Sequence, residues 1–200
     1  GGVDPEGNAL NSVEQAKLNS DGSIGSWATS TNVLPATIGD HGSVIANGYL
    51  YVIGGNNQKT TIYYSKVNPD GSINAWTTNK NPLPIGRQDL TTVTTNGYLY
   101  VLGGTDPSTA ATTSVIYAKL SSDGSVGGFA STTALPAARS FAGGAIANGY
   151  IYIIGDTGAT TVYYAKINAD GSLGNWSTAT ALEENRQALN NTIILNGHLY

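Results

Sequence analysis

The chain has 200 residues, 40% hydrophobic but only 11% charged, with a formal net charge of -4. It has no run of Lys or Arg to displace counterions from phosphates, which argues against a nucleic-acid or polyanion binder, and no cysteine, which excludes disulfides, thiolate metal sites and a cysteine nucleophile. Apolar runs such as 49–53 are far too short to span a bilayer, and a sequence without methionine reads as a processed product or a segment of something longer.

In chain order, Gly1-Gly2 matches the close of a strand, and another strand follows over 12–18. Asp21-Gly22-Ser23 turns the chain, a further strand begins near Trp27, and Leu34-Pro35 leads onward. The cassette then returns. Strands are expected at 49–53 and 61–67, a turn at Asp70-Gly71-Ser72, a strand from Trp76 and a connector at Leu83-Pro84. Next, 87–95 reads as a strand ending in Asn96-Gly97, a pair that readily takes positive φ at both centres of a type I′ hairpin. Strands at 98–102 and 114–120, the turn Asp123-Gly124-Ser125, Phe129 and Leu135-Pro136 complete that copy. The last copy has strands at 150–154 and 161–167, the turn Asp170-Gly171-Ser172 and Trp176. The chain stops at His198-Leu199-Tyr200, inside what reads as a second strand.

The turn aspartates are spaced by 49, 53 and 47 residues, a period that marks blades of a propeller, sheets that cannot bury their faces without neighbours. The third strand of each copy supports this. Ala16, Ser65, Ala118 and Ala165 are followed two places on by Leu18, Val67, Leu120 and Ile167, while Val13, Ile62, Val115 and Val162 take the other face. Both faces are apolar, as a sheet sandwiched between two others requires. The expected fold is an all-β propeller of four four-stranded blade units, over 38–79, 87–129 and 139–179. The fourth blade joins 186–200 to 9–30, so that N- and C-terminal strands close it.

The strings Leu83-Pro84-Ile85-Gly86-Arg87 with 98–104, and Leu135-Pro136-Ala137-Ala138-Arg139 with Asn148-Gly149-Tyr150 and the strand after it, resemble the Kelch repeat. The likeness extends to the wider superfamily of the galactose oxidase central domain. Paired glycines, Tyr after the Asn-Gly turn and a downstream Trp are that family's marks. The Asp-Gly-Ser hairpin with its later Trp is similar to a bacterial subgroup found in long secreted or surface proteins. Family propellers usually have six or seven blades, so four units leave three forms open: a closed ring, an arc of a larger propeller, or two chains pairing. Copy four departs from the pattern, with Gly155-Asp156 for the glycine pair and Leu182-Glu183 for Leu-Pro.

The resemblance implies a site. Arg87, Arg139 and Arg186 each follow the connector, where copy one has Ile38. In Kelch propellers that position lies at the start of the innermost strand near the channel mouth, so these arginines, with Gln88 and Ser140 beside them, form the candidate ligand-binding set for an acidic partner. Guanidinium suits carboxylate through paired hydrogen bonds. The competing reading has each arginine bracing its own blade through loop carbonyls or an acid such as Asp89.

Other candidates are weaker. Asp40 and His41 are adjacent, and neighbours on a strand point to opposite faces, so they are poorly placed as a catalytic pair. His198 takes the place held by Tyr49, Tyr98 and Tyr150. Each Asp-Gly-Ser turn offers one aspartate where calcium wants six to eight oxygens, so the aspartates read as turn caps. Kelch-like oxidases bind copper through His and Tyr, and two histidines offer little for that; no cofactor is expected. Asn175-Trp176-Ser177 and Asn190-Asn191-Thr192 fit the glycosylation acceptor pattern.

The expected function is non-enzymatic binding or scaffolding in an extracellular or cell-surface protein. Its partner would be a protein or glycan met through the loops 56–60 and 105–113 and the arginine series, without nucleic acid or membrane insertion. A sialidase-like, glycan-acting enzyme and a structural unit that self-associates are the alternatives.

Overall fold

The computed structural model describes residues 1–156, 158–186, 188–189 and 192–200. All its regular elements are strands: β1 (Glu14–Gln15), β2 (Ala28–Thr29), β3 (Gly42–Ala46), β4 (Tyr49–Ile53), β5 (Ile62–Lys66), β6 (Thr77–Thr78), β7 (Thr91–Thr95), β8 (Tyr98–Leu102), β9 (Val115–Lys119), β10 (Ala130–Ser131), β11 (Gly143–Ala147), β12 (Tyr150–Ile154), β13 (Val162–Ile167), β14 (Leu173–Thr178), β15 (Ile194–Leu195) and β16 (His198–Leu199). They form three antiparallel four-stranded sheets, β3 to β6, β7 to β10 and β11 to β14, flanked in sequence by the pairs β1–β2 and β15–β16. Each sheet runs in simple up-and-down order. The first strands stand side by side: β3 touches β7, β7 touches β11 and β11 touches β15. This radial order is compatible with a β-propeller, with β3, β7 and β11 innermost around a central cavity.

Local chemistry sets the strand limits. Asn47, Asn96, Asn148 and Asn196 have φ near +50° and the glycines after them φ near +77°, the geometry of a type I′ turn. Every β-hairpin from first to second strand therefore has the same register, with Ala46 opposite Tyr49, Thr95 opposite Tyr98 and Ala147 opposite Tyr150.

The core lies between sheets. Tyr51, Ile53 and Ile62 of the first complete sheet pack against Leu99, Val101, Ile116 and Ala118 of the second. Tyr100, Leu102 and Val115, on the second sheet's other face, pack against Ile151, Ile153 and Ala165 of the third. A smaller cluster of Leu34, Ile38, Val52 and Tyr63 ties the N-terminal segment to the first sheet. Alternation along each strand thus serves two neighbours, and full burial of one such side chain contributes about 1.5–3 kcal/mol.

Polar latches supplement this packing. The connector after each outer strand grips the next sheet's turn. Asn32 donates to Ile73 O (2.8 Å) and receives the Trp76 indole N–H on its own carbonyl (3.0 Å). Asn79 accepts from Val126 N (2.9 Å) and donates to Val126 O (3.0 Å). Thr132 and Thr133 hold Leu173, and Thr133 O accepts from the Trp176 indole (2.9 Å).

The N- and C-terminal strands form two separate two-stranded sheets, β1–β2 and β15–β16, and no pairing joins them among the described residues. Each stays with the sheet beside it in sequence. Gly2 N–H donates to Ile38 O (2.8 Å) and Ile38 N–H to Leu10 O (2.9 Å), while Leu189 N–H donates to Phe141 O (3.2 Å). With no inner strand alongside, β1 keeps two paired residues where 12–18 was expected.

Candidate binding face at the channel mouth

Two residues beyond each arginine position the backbone turns left-handed: Asp40 (φ 52°), Asp89 (φ 55°), Phe141 (φ 56°) and Ala188 (φ 57°). Non-glycine residues seldom hold this conformation. Here a backbone belt holds it, since Asp89 N–H donates to Asp40 O (2.9 Å), Phe141 N–H to Asp89 O (3.0 Å) and Leu189 N–H to Phe141 O (3.2 Å). The belt frames the mouth of a cavity of about 790 Å³, walled by β3, β7, β11, Gly2-Val3 and, from the C-terminal segment, Ala188, Leu189 and Thr192.

The predicted arginines occupy equivalent backbone positions. The carbonyls of Arg87, Arg139 and Arg186 accept from Gly55, Gly104 and Asp156, as Ile38 O does from Gly2. Their side chains diverge. Arg87 is 2% exposed, and its guanidinium donates to Gly103 O (3.1 Å), Ser114 O (3.1 Å) and Ser114 Oγ (2.7 Å). Burial lowers its pKa, and the Asp106 charge partly offsets this. Arg139 is 4% exposed, pairs with Asp156 at 3.2 Å and lies 4.9 Å from the centre of the Tyr163 ring. Both tie the end of a second strand to the start of a third within one blade. Arg186 is exposed, with Glu184 at 3.4 Å. The three guanidinium groups therefore do not converge on the mouth.

Gln88 lies on the rim. Its amide donates to Asp89 Oδ2 (3.2 Å), its side-chain oxygen accepts from Gln58 Nε2 (3.1 Å), and its backbone exchanges hydrogen bonds with Thr105. Loops 56–60 and 105–113 are thereby fastened beside the mouth. The second is itself stiffened by Asp106, which caps Ser108 N–H at 2.8 Å. Ser140 is buried.

Asp89 and Asp40 were not among the candidate ligand contacts, yet they line the mouth with the exposed ring of Phe141. Burial raises the Asp89 pKa; hydrogen bonds from Gln88 and Thr105 oppose that, and the Asp40 charge adds to it. The signal in sequence was positional, a fixed offset of two from the arginines. His41 also lines the cavity, with burial pushing its pKa down and no partner on Nδ1. His198 stands beside Tyr200, ring centroids 6.3 Å apart.

The Asp-Gly-Ser aspartates act as turn caps: Asp21, Asp70, Asp123 and Asp170 each accept from the amide and hydroxyl of the serine two residues on. Those bonds hold the four carboxyls below their usual pKa. Among the described residues no group of three or more His, Cys, Asp or Glu is placed to hold a metal ion. Asn175-Trp176-Ser177 lies in β14, whereas Asn190 and Asn191 of the other acceptor pattern lie outside the described residues.

No protein-family model and no curated protein matches the chain. Among solved structures 165 chains match, a frequency that marks a common scaffold from which function does not follow. One, described as "Structure of YjhT", superposes with a TM-score of 0.67 at 14% identity, covering 88% of this chain and 61% of its own. The chain thus spans about three-fifths of that protein, and at such identity what the two share is the all-β fold of four-stranded antiparallel sheets.

Proposed function

We propose that the chain is a Kelch-type propeller module that binds a protein or glycan partner without chemistry, outside the cell or at its surface. The contact face is the channel mouth with its flanking loops. One observation carries this reading: loops 56–60 and 105–113 are cross-tied through Gln58, Gln88 and Thr105 to the mouth belt, giving a rigid rim of variable sequence at one end of the cavity. The Asn-Gly-Tyr hairpins and glycine pairs support the Kelch assignment. Within the arginine set, exposed Arg186 and rim-bound Gln88 make direct contact. Arg87 and Arg139, both buried like Ser140, shape the rim through the loops that their backbone N–H groups hold at Lys59 O and Thr112 O.

Glycan-array and acidic-peptide screens test this, run with the chain, with Arg186→Ala and with 106–110 replaced by a Gly-Ser linker. Binding by the chain that weakens in both variants is expected. Equal binding by all three would remove the rim, and turnover of a fluorogenic sialoside would replace the binder with an enzyme.

A second reading, a unit that assembles with others, is favoured by Leu18, Ile24 and Trp27, which are 74%, 57% and 66% exposed. The counterparts of Ile24, namely Ile73, Val126 and Leu173, are buried under a preceding connector, and those of Trp27, namely Trp76, Phe129 and Trp176, are half-buried. Molar mass that climbs with concentration in the chain, but not in Leu18→Asp/Trp27→Ser, would support it; a constant monomer mass would end it.

A further inference from the structure

The junctions between complete sheets repeat one contact. Tyr49 of the first complete sheet rests on the second sheet's Asp-Gly-Ser turn, where a Cβ on Gly124 would stand 2.5 Å from the ring. Tyr98 of the second rests on the third sheet's turn, 2.8 Å from a Cβ on Gly171, and the Tyr100 hydroxyl donates to Gly171 O (2.8 Å). At that same junction the Trp176 indole donates to Thr133 O of the preceding connector (2.9 Å). A ring laid on a glycine turn buries a large apolar surface at a single point.

The molecule carries both halves of this contact a further time, unjoined. Ile151, Ile153 and Ala165 of the third sheet face the second, so alternation turns Tyr152 and Tyr164 to the opposite face. There they stack at 5.9 Å, as Tyr100 and Tyr117 do at 5.9 Å in the second sheet. Tyr152 is half-buried, whereas its equivalents Tyr51 and Tyr100 are fully buried. Thr180, in the place of Thr133, is exposed. The matching half lies beside β1–β2. A Cβ on Gly22 would meet open space, and the exposed Trp27 has no acceptor for its indole among the described residues. One chain therefore does not close this contact on itself, and a second copy of the chain carries the turn that fits it.

We propose that the turn at 21–27 of one copy seats on the third sheet of another, so that copies join head to tail by the contact that joins sheets within the chain. Gly22 then lies on Tyr150, the Tyr152 hydroxyl donates to Gly22 O, and the Trp27 indole donates to Thr180 O. Ile24 is covered as Val126 and Leu173 are, which removes apolar surface from water. The two sides of the contact are different surfaces, so each joined copy keeps one free half. This rests on the reading of the chain as a unit that assembles with others, and adds which surface meets which.

Light scattering on two variants, alone and mixed, tests it. Tyr152→Asp removes one half of the contact and Leu18→Asp/Trp27→Ser the other, with circular dichroism verifying that both fold as the chain does. Each alone should associate more weakly on the order of thirtyfold. Their equimolar mixture should recover a one-to-one dimer, because each keeps the half that the other lacks. A Gly22→Cys/Tyr150→Cys chain, oxidised, should form its bridges between molecules. Association unchanged by Tyr152→Asp, a mixture no larger than its components, or bridges only within single molecules would overturn the proposal while an assembling chain left the broader reading in place. A chain that keeps a monomer mass at every concentration would remove that reading, and this one with it.

Discussion

At the residue scale, a buried polar side chain matters most where it closes two hydrogen bonds at once. Asn79 does so across a sheet boundary: its amide meets both backbone groups of Val126. Asn79→Ala leaves that N–H without its partner, while the C=O keeps the Asn81 amide at 2.9 Å, and should cost about 1–3 kcal/mol, read from urea unfolding. Tyrosines give a second expectation. Burial, with Tyr49 and Tyr64 nearby, pushes Tyr51 up to about 12, and burial with Tyr98 and Tyr117 does the same for Tyr100. Unfolded tyrosine ionises near 10. Between those values the unfolded chain loses protons that the folded chain keeps, so stability is full below about pH 10 and falls as pH rises toward 12. Absorbance titration should show Tyr51 and Tyr100 among the late-ionising tyrosines, with Tyr64 also raised by burial, and loss of the latest steps in Tyr51→Phe and Tyr100→Phe would assign them. Arginine positions were legible in the sequence because the repeat counts them. Side-chain direction was not, because Arg87 is drawn inward by Ser114 at the head of the third strand, a hydroxyl position that recurs at Ser12, Thr61 and Thr161 but whose reach to the guanidinium only the folded chain displays.

At the element scale, the turn glycines are not equivalent. Gly71 and Gly171 share φ near +85°, but an added Cβ at Gly171 would stand 2.8 Å from the Tyr98 ring, whereas at Gly71 it would meet open space. Gly71→Ala should therefore cost only backbone strain, about 1–2 kcal/mol. Gly171→Ala should add overpacking of about 1–3 kcal/mol, giving the larger fall in Tm. Equal losses would mean the next sheet does not rest on the preceding tyrosine. The second strands were legible to the residue, since Asn-Gly fixes where each begins and Gly where each ends. Where each outer strand begins was legible from its aromatic residue, but its length was not: β6 and β10 keep two paired residues each, whereas β14 runs over six.

At the scale of the whole molecule, the sheets succeed one another as the chain does, and each interface repeats the same packing and the same connector grip. Repetition made the sheet order readable. Closure depends on how far successive sheets rotate, an angle that the residues of one cassette do not encode. The account rests on innermost strands standing side by side, and a chain without cysteine makes this directly testable. A Cβ at Gly144 lies 3.9 Å from the Thr91 Cβ, within disulfide range. Oxidation of the Thr91→Cys/Gly144→Cys variant, followed by peptide mapping, should give an intramolecular bridge between β7 and β11 in monomeric protein. Free thiols after oxidation, or bridges only between molecules, would contradict the radial order itself.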